Sequence, residues 1–213
     1  MKELFPDIYQ ITTRLTALKV PSAMHIVKAE GDVTLIDPFV LSGSETEELE
    51  ALGNPTYILV TEANHVRDAE EYRNRYGAKV LANRAAVPKL GIPVDEAFGD
   101  DETLPGGLKS IEIPGASIGE TIFRYNQGGG TLIVGDAIMN LQPGDRGLIM
   151  RLVGFPEGLG LMPKLVMTDK KRAAESYRNL LNHDFDRILV SHGSPVLNDG
   201  KKQLEDAINA TSL

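Results

Sequence analysis

The sequence predicts an α/β (α+β) fold in which two β-sheets pack together and helices cover their outer faces. Three observations favour this four-layer arrangement. Short apolar runs of strand length alternate with helical patterns, further strands follow in the middle of the chain, and the order at the end is helix, strand, helix. No linker rich in proline or serine divides the chain, so we expect a single domain over residues 1–213.

The first half of the chain alternates strand and helix signals. A tight turn at Glu30-Gly31 joins the second predicted strand to the third, and the fourth is continuously apolar, which predicts burial on both faces. One helix begins at Ser44-Glu-Thr-Glu47, which has capping-box spacing, and a second covers 68–76 and ends at Gly77. The predicted strands are 8–15, 24–29, 32–36, 56–61 and 79–82.

The second half begins with hairpin signals. Strands are predicted at 108–113, 120–125 and 131–134, with Pro114-Gly115 and a run of three glycines between them. The stretch 140–168 is rich in Gly, Pro, Leu and Met and has no clear period, which is typical of a functional lid or wall. An amphipathic helix at 170–182, a strand at 187–191 and a helix at 201–210 complete the prediction.

Composition excludes several kinds of chemistry. The 22 basic and 30 acidic residues give a net charge of −8, and without a basic stripe a nucleic-acid-binding surface is disfavoured. The absence of cysteine rules out disulfides, thiolate catalysis and cysteine-bound zinc. No apolar run has membrane-spanning length, and the first residues lack a signal-peptide core, so we expect a cytoplasmic protein without membrane contact.

Polar residues follow four of the predicted strands, where α/β folds place their sites. They are Asp37, the stretch 62–68, Asp136 and His192. Each also has a structural interpretation: Asp37 before a proline, Asp68 as a helix N-cap, and Asp136 and His192 as turn residues. For His25 and His183, the other two histidines, we expect structural roles.

Taken together, five segments resemble the metallo-β-lactamase fold superfamily. They are VTLIDPF (33–39), ILVTEANHVRD (58–68), LPGGLKSIEIPG (104–115), LIVGDAIM (132–139) and RILVSHGSPV (187–196). The resemblance extends over nearly the whole chain and implies a four-layer αββα sandwich of metallo-β-lactamase type. It also implies loops that hold one or two metal ions, often zinc, iron or manganese. Such a metal activates a water molecule that attacks an ester, thioester, amide or phosphodiester.

The sequence departs from the family where the metal ligands are expected. The family pattern after the strand is Thr-His-x-His-x-Asp-His. If the pattern is aligned without a gap, Glu62 and Asn64 occupy the positions of the first two histidines. Val66 then occupies the position of the aspartate, and Arg67 that of the last histidine. With one extra residue, His65 matches the second histidine, Arg67 the aspartate and Asp68 the last histidine, and we prefer this register.

Three further positions complete the comparison with the family. The family histidine that follows Pro-Gly is replaced by Ala116. Asp136 and His192 match the family's bridging aspartate and its last histidine. The family residues for a first, histidine-rich metal site are therefore absent, which leaves side chains for one site.

Our first hypothesis is a metal-dependent hydrolase with a reduced, mononuclear site. The predicted ligands are His65, Asp68, Asp136 and His192, a set that would accept zinc, iron or manganese. Asp68 or Glu62 would act as the general base.

The second hypothesis is a non-catalytic protein that binds no metal. Arg67 would repel a divalent ion and could instead pair with Asp68, with Asp136 or with a small anionic ligand or partner bound in the former active-site cleft. The apolar residues between 139 and 162 would form a wall, although core packing or a homodimer interface is the interpretation of these residues that we favour. They are Met139, Leu148, Met150, Leu152, Phe155, Leu159, Leu161 and Met162.

Overall fold

The computed structural model describes residues 1–14 and 20–211. Within this part of the chain, seven strands form one sheet in chain order. Adjacent strands from the first to the fourth are antiparallel, and adjacent strands from the fourth to the seventh are parallel. The strands are β1 (Lys2–Phe5), β2 (Ile8–Arg14), β3 (Pro21–Ala29), β4 (Asp32–Ile36), β5 (Tyr57–Val60), β6 (Lys79–Asn83) and β7 (Glu96–Phe98).

The remaining strands of the described residues form a second sheet and a separate hairpin. They are β8 (Thr103–Leu104), β9 (Leu108–Glu112), β10 (Thr121–Tyr125), β11 (Thr131–Val134), β12 (Ile138–Leu141), β13 (Gly158–Leu161) and β14 (Arg187–Val190). The second sheet has the order β14-β11-β10-β9-β8, and its β11–β14 pair is parallel. Strands β12 and β13 pair with each other in the antiparallel hairpin.

The described residues form five helices, of which the first, second, fourth and fifth cover the outer faces of the two sheets. They are α1 (Gly43–Leu52), α2 (Ala69–Tyr76), α3 (Leu148–Val153), α4 (Lys170–Leu180) and α5 (Gly200–Ala210). One core lies between the first sheet and α1 and α2, and a second lies between the second sheet and α4 and α5. A third core joins the two sheets. The predicted four-layer αββα sandwich is therefore confirmed.

The central strands are buried on both faces because their apolar residues alternate between two cores. In β5, Ile58 and Val60 face the helices of their own sheet, while Leu59 faces the other sheet. In β14, Ile188 faces the outer core and Leu189 the core between the sheets. This alternation follows from the two-residue period of a strand, and it explains why these segments are continuously apolar.

Most of the predicted elements lie within a few residues of the observed ones. Strand β4 and the turn at Glu30-Gly31 are as predicted, and both turn residues have positive φ. The strand predicted at 8–15 corresponds to β2, and Leu15 lies outside the described residues. Helix α2 ends at Gly77, whose φ of 71° is the left-handed conformation that glycine adopts without strain.

Two local predictions were wrong. Helix α1 is capped by Ser42 together with Glu45, one serine earlier than the predicted Ser44, because both serines have the spacing of a capping box. The stretch 140–168 is not uniformly irregular, since it contains the end of β12, helix α3 and β13. No helix of the described residues is long and apolar enough to cross a membrane.

The hairpin β12–β13 is held close to the end of β14 by backbone contacts. The amide of Asn140 donates to the carbonyl of His192, and the amide of Ser194 donates to the carbonyl of Asn140. Between them, Gly193 has a φ of +103°, and a Cβ there would lie 1.9 Å from the carbonyl oxygen of Asn140. Only glycine permits this approach.

We therefore expect Gly193→Ala to lower the free energy of unfolding by more than about 2 kcal/mol, through backbone strain and steric overlap. Urea titration measures this change. Gly144→Ala is the matched control, because a Cβ at Gly144 would meet no atom within 4 Å. Its expected effect is below about 0.5 kcal/mol. Equal stabilities of the two variants would contradict the steric explanation.

His25 lies in β3, fully buried and hydrogen-bonded to the side chain of Gln10 at 3.1 Å. Burial lowers its pKa from 6.5 to about 4, and the nearby Arg67 acts in the same direction while Asp37 opposes it. His25 is therefore a neutral structural residue at pH 7, as the sequence predicted.

Because the folded-state pKa of His25 lies below its unfolded value, the unfolded chain binds this proton first. Above about pH 6.5, His25 does not lower the free energy of unfolding. As the pH drops towards 4, the free energy of unfolding falls, and His25 accounts for up to about 3 kcal/mol of this loss. We expect His25→Gln to lose less unfolding free energy than the wild type between pH 7 and pH 4.5, as measured by urea titration. The control His183→Gln should follow the wild type more closely, since His183 is only partly buried. An unchanged pH profile in His25→Gln would refute the assignment.

Candidate metal centre

Three side chains from loops that follow strands of both sheets meet at one edge of the sandwich. His65 ends a short 3-10 turn, Ala63–His65, after β5. Asp136 and His192 follow β11 and β14, which are neighbours in the second sheet. Gly135 allows the two sheets to approach here, because a Cβ at this position would lie 2.5 Å from Oγ1 of Thr61.

The three side chains direct potential ligand atoms at a common region. Nε2 of His65 lies 3.4 Å and Nε2 of His192 lies 3.2 Å from Oδ1 of Asp136. This Oδ1 is buried and has no hydrogen-bond partner among the described residues. Neighbouring ligand atoms of a tetrahedral zinc ion lie about 3.3 Å apart, because each bond is about 2.0–2.1 Å long. The spacing and the unpartnered oxygen therefore fit a metal site.

The other ring nitrogen of each histidine is fixed by an acceptor. Nδ1 of His65 lies 2.8 Å from Oδ2 of Asp37, and Nδ1 of His192 lies 3.0 Å from the carbonyl oxygen of Pro21. A carbonyl oxygen can only accept, so Nδ1 of His192 donates, and a carboxylate imposes the same role on His65. In each neutral imidazole the lone pair is then on Nε2, as a metal ligand requires.

Asp37 is the residue that orients His65. Its carboxylate is completely buried and also accepts hydrogen bonds from the amide and the hydroxyl of Thr61, at 2.9 and 2.7 Å, and from the hydroxyl of Ser191 at 3.2 Å. The sequence predicted a structural role for Asp37. Its contribution to the site was missed, although its position after β4 is the same signal that identified Asp136 and His192.

Charge coupling within the group is strong. Burial would raise the pKa of the Asp136 carboxyl, but the imidazoles of His65 and His192 outweigh it and hold the pKa far below its usual range. For His65, burial acts to lower the pKa, yet the carboxylates of Asp37 and Asp136 together raise it to about 10. The carboxylates of Asp37 and Asp136 therefore favour positive charge at this group, whether a proton on His65 or a metal ion carries it.

Glu62 lies beside this group in a buried acidic pair. Its Oε2 accepts hydrogen bonds from the Ser117 hydroxyl and from the Asn64 amide, each at 3.0 Å, while Oε1 is buried without a partner among the described residues. The same Ser117 hydroxyl lies 2.7 Å from Glu120. Burial, followed by Asp136 and Glu62, raises the pKa of Glu120 to about 8. The sequence predicted Glu120 as part of a strand, and no motif indicated that it lies in an acidic pair beside the site.

Asp68 and Arg67 lie close by, but they are not part of the His–Asp group. Oδ2 of Asp68 accepts a hydrogen bond from the amide of Val40 at 2.9 Å, and no side-chain cap to α2 forms. Nη1 of Arg67 donates to the carbonyl oxygens of Ala23 and Asp37, both at 2.9 Å. Among the described residues, Arg67 forms no ion pair with Asp68 or Asp136, so the predicted Arg–Asp cluster does not fill the centre.

A pocket of about 380 Å³ opens onto the His–Asp group. Three of the apolar residues predicted as a wall line it: Met139, Met150 and Phe155. Leu148 and Leu152 point outwards and are 74% and 79% exposed, and the homodimer interface suggested for this stretch stays a prediction. The complete lining is Val20, Asn64, His65, Arg67, Asp136, Met139, Met150, Val153, Phe155 and His192.

Solved structures with the same fold extend over the whole chain. The DIM-1 metallo-β-lactamase exposed to ceftazidime is 14% identical, with a TM-score of 0.72 over 99% of this chain and 96% of that one. The metallo-β-lactamase family protein TTHA1429 from Thermus thermophilus is 17% identical, with a TM-score of 0.68 over 98% of this chain and 80% of that one. TTHA1623 in a di-iron-bound form is 20% identical, with a TM-score of 0.64 over 91% of this chain and 96% of that one.

These identities establish the fold alone. A comparison with curated proteins found no match. The model of the metallo-β-lactamase superfamily matches residues 1–211, which is almost the complete sequence. With the four-layer sandwich and the His–Asp group at the edge of its sheets, the match shows that the chain belongs to the metallo-β-lactamase superfamily.

Proposed function

We propose that the protein is a metal-dependent hydrolase with a single metal ion held by His65, Asp136 and His192. The observation that supports this most directly is the buried, unpartnered Oδ1 of Asp136 between two imidazoles whose Nδ1 atoms are already engaged. Two histidines and a carboxylate suit zinc, iron or manganese. Such an ion lowers the pKa of a bound water and so supplies a nucleophile at neutral pH.

The proposal of one metal rather than two rests on the neighbouring residues. Among the described residues, His65, Asp136 and His192 are the one group of three or more His, Asp or Glu residues with converging ligand atoms. No histidine stands at the first family position after Thr61 in either register, and Ala116 replaces the family histidine that follows Pro-Gly. We predicted Asp68 as a fourth ligand, but its Oδ2 accepts a hydrogen bond from the amide of Val40, and we leave it out of the proposed set.

Glu62 is the better of the two predicted general bases. Its Oε1 has no partner and could accept a proton from the attacking water, whereas a backbone amide already occupies Oδ2 of Asp68. Burial raises the pKa of Glu62, and the proximity of Asp136 adds to this, which makes its carboxylate a stronger base. Asn64, which lines the pocket, donates its side-chain amide to Oε2 of Glu62 and so helps to hold this carboxylate in place.

Metal analysis tests the proposal directly. Protein purified without added metal, and protein reconstituted separately with zinc, iron(II) and manganese(II), should retain about one equivalent of at least one metal. His192→Ala should lose it, because two protein ligands hold a metal poorly. His183→Ala is the matched control, since His183 lies at the end of α4 and outside the group.

Hydrolysis of a panel of ester, thioester, amide and phosphodiester substrates should depend on the same metal and disappear in Asp136→Asn. If the wild type binds none of the three metals, the hydrolase proposal fails. The alternative, a non-catalytic protein that binds a ligand in this cleft, would then be favoured.

A further prediction concerns Asp37. Asp37→Asn keeps the size of the side chain but weakens its hold on Nδ1 of His65, so metal affinity should fall about 10- to 100-fold. Competition with a metal chelator measures this affinity. Asp68→Asn in the neighbouring loop should leave it unchanged. An equal loss in both variants would indicate a general effect on folding rather than control of the orientation of His65.

A further inference from the structure

The pocket above the His–Asp group has separate polar and apolar parts. Its polar side chains are Asn64, His65, Arg67, Asp136 and His192, and its apolar ones are Val20, Met139, Met150, Val153 and Phe155. Four of the apolar residues also pack together in one buried cluster with Leu141. A ligand that fills this pocket must therefore be apolar at one end and polar at the other.

Arg67 is a charged residue of this pocket that forms no ion pair within the described part of the chain. No carboxylate of the described residues lies within 4.0 Å of its guanidinium, whose Nη1 contacts two backbone carbonyls. Nη2 is buried and has no hydrogen-bond partner among the described residues. An unpartnered, buried guanidinium nitrogen is costly unless a ligand completes it.

The other charged residue of the pocket does not occupy Arg67. Asp136 is the single carboxylate that lines the pocket, and its Oδ1 lies between the imidazoles of His65 and His192 and not within 4.0 Å of the guanidinium. A divalent ion at the His–Asp group would add further positive charge. The unpartnered Nη2 of Arg67 can donate to a carboxylate, and such a charge-assisted hydrogen bond is stronger than one to a neutral group.

We propose that this pocket binds an amphipathic monoanion, with its carboxylate at Arg67 and its apolar chain among Met139, Met150 and Phe155. This inference rests on the proposed function in one respect: it names the class to which the substrate of that hydrolase belongs. Such a substrate carries a carboxylate and an apolar chain, and its scissile bond lies at the His–Asp group.

Calorimetric titration with octanoate, octanol and octylamine tests the inference without reference to turnover. The full-length protein is used both as purified and after treatment with a chelator, so that binding to a metal and binding to Arg67 are separated. Octanoate should bind at least about tenfold more tightly than octanol in both preparations, and octylamine more weakly still. Butyrate should bind more weakly than octanoate, because it buries less apolar surface.

Variants assign this selectivity to individual residues. Arg67→Met should abolish the preference for octanoate over octanol, and Arg67→Lys should retain part of it. Lys89→Met is the charge control, since Lys89 lines a neighbouring cavity and not this pocket. For the apolar end, Met150→Ser should weaken octanoate binding, while Leu152→Ser, which changes an exposed residue of the same helix, should not.

The inference is overturned if octanoate does not bind, if octylamine binds as tightly, or if Arg67→Met with a native circular dichroism spectrum keeps the wild-type preference. If Arg67→Met does not fold, Arg67→Lys and the octanoate-to-octanol ratio of the wild type decide the question. Octanoate binding that depends on Arg67 in a protein without hydrolytic activity would support this inference and refute the proposed function alone.

Discussion

The site depends on one buried carboxylate, that of Asp37. Its oxygens accept hydrogen bonds from side chains that follow two different strands of the two sheets, Thr61 after β5 and Ser191 after β14, and from the imidazole of His65. A buried charge is expensive, and it persists here because the imidazole of His65 favours the ionised form, followed by the nearby Arg67 and the hydrogen bond from Thr61. The same contacts that make the charge tolerable fix the sheet edges relative to each other and orient His65.

The sequence predicted those features that depend on local patterns. Strands β4, β5, β11 and β14 could be recognised because their continuous apolar runs reflect burial on both faces, and polar residues directly after them marked the site. The short strands β1, β7 and β8 could not, since two to four residues give no period. The start of α1 was misplaced because two overlapping stretches have capping-box spacing, and the hydrogen bonds form between Ser42 and Glu45.

The ligand register was ambiguous for a physical reason. After β5 the chain makes a 3-10 turn, Ala63–His65, which turns His65 inwards and leaves Asn64 exposed at the mouth of the pocket. Spacing alone does not show such a turn, so His65 could be assigned only by allowing an extra residue. The roles of Glu120 and Asp37 could not be predicted for another reason. Their relation to the site arises from contacts that the local sequence pattern does not show.

The backbone contact between Asn140 and Gly193 separates two parts of the pocket. In one part the positions of the residues are constrained, and in the other the sequence can vary. It fastens the base of the β12–β13 hairpin to the loop that carries His192, so both keep one position. The segment from Gln142 to Glu157, which contains α3, connects the two strands of that hairpin. Insertions or substitutions in it can reshape the apolar end of the pocket while the histidines and Asp136 stay in place. In evolution or in the laboratory, ligand preference can therefore diversify without rebuilding the chemical centre.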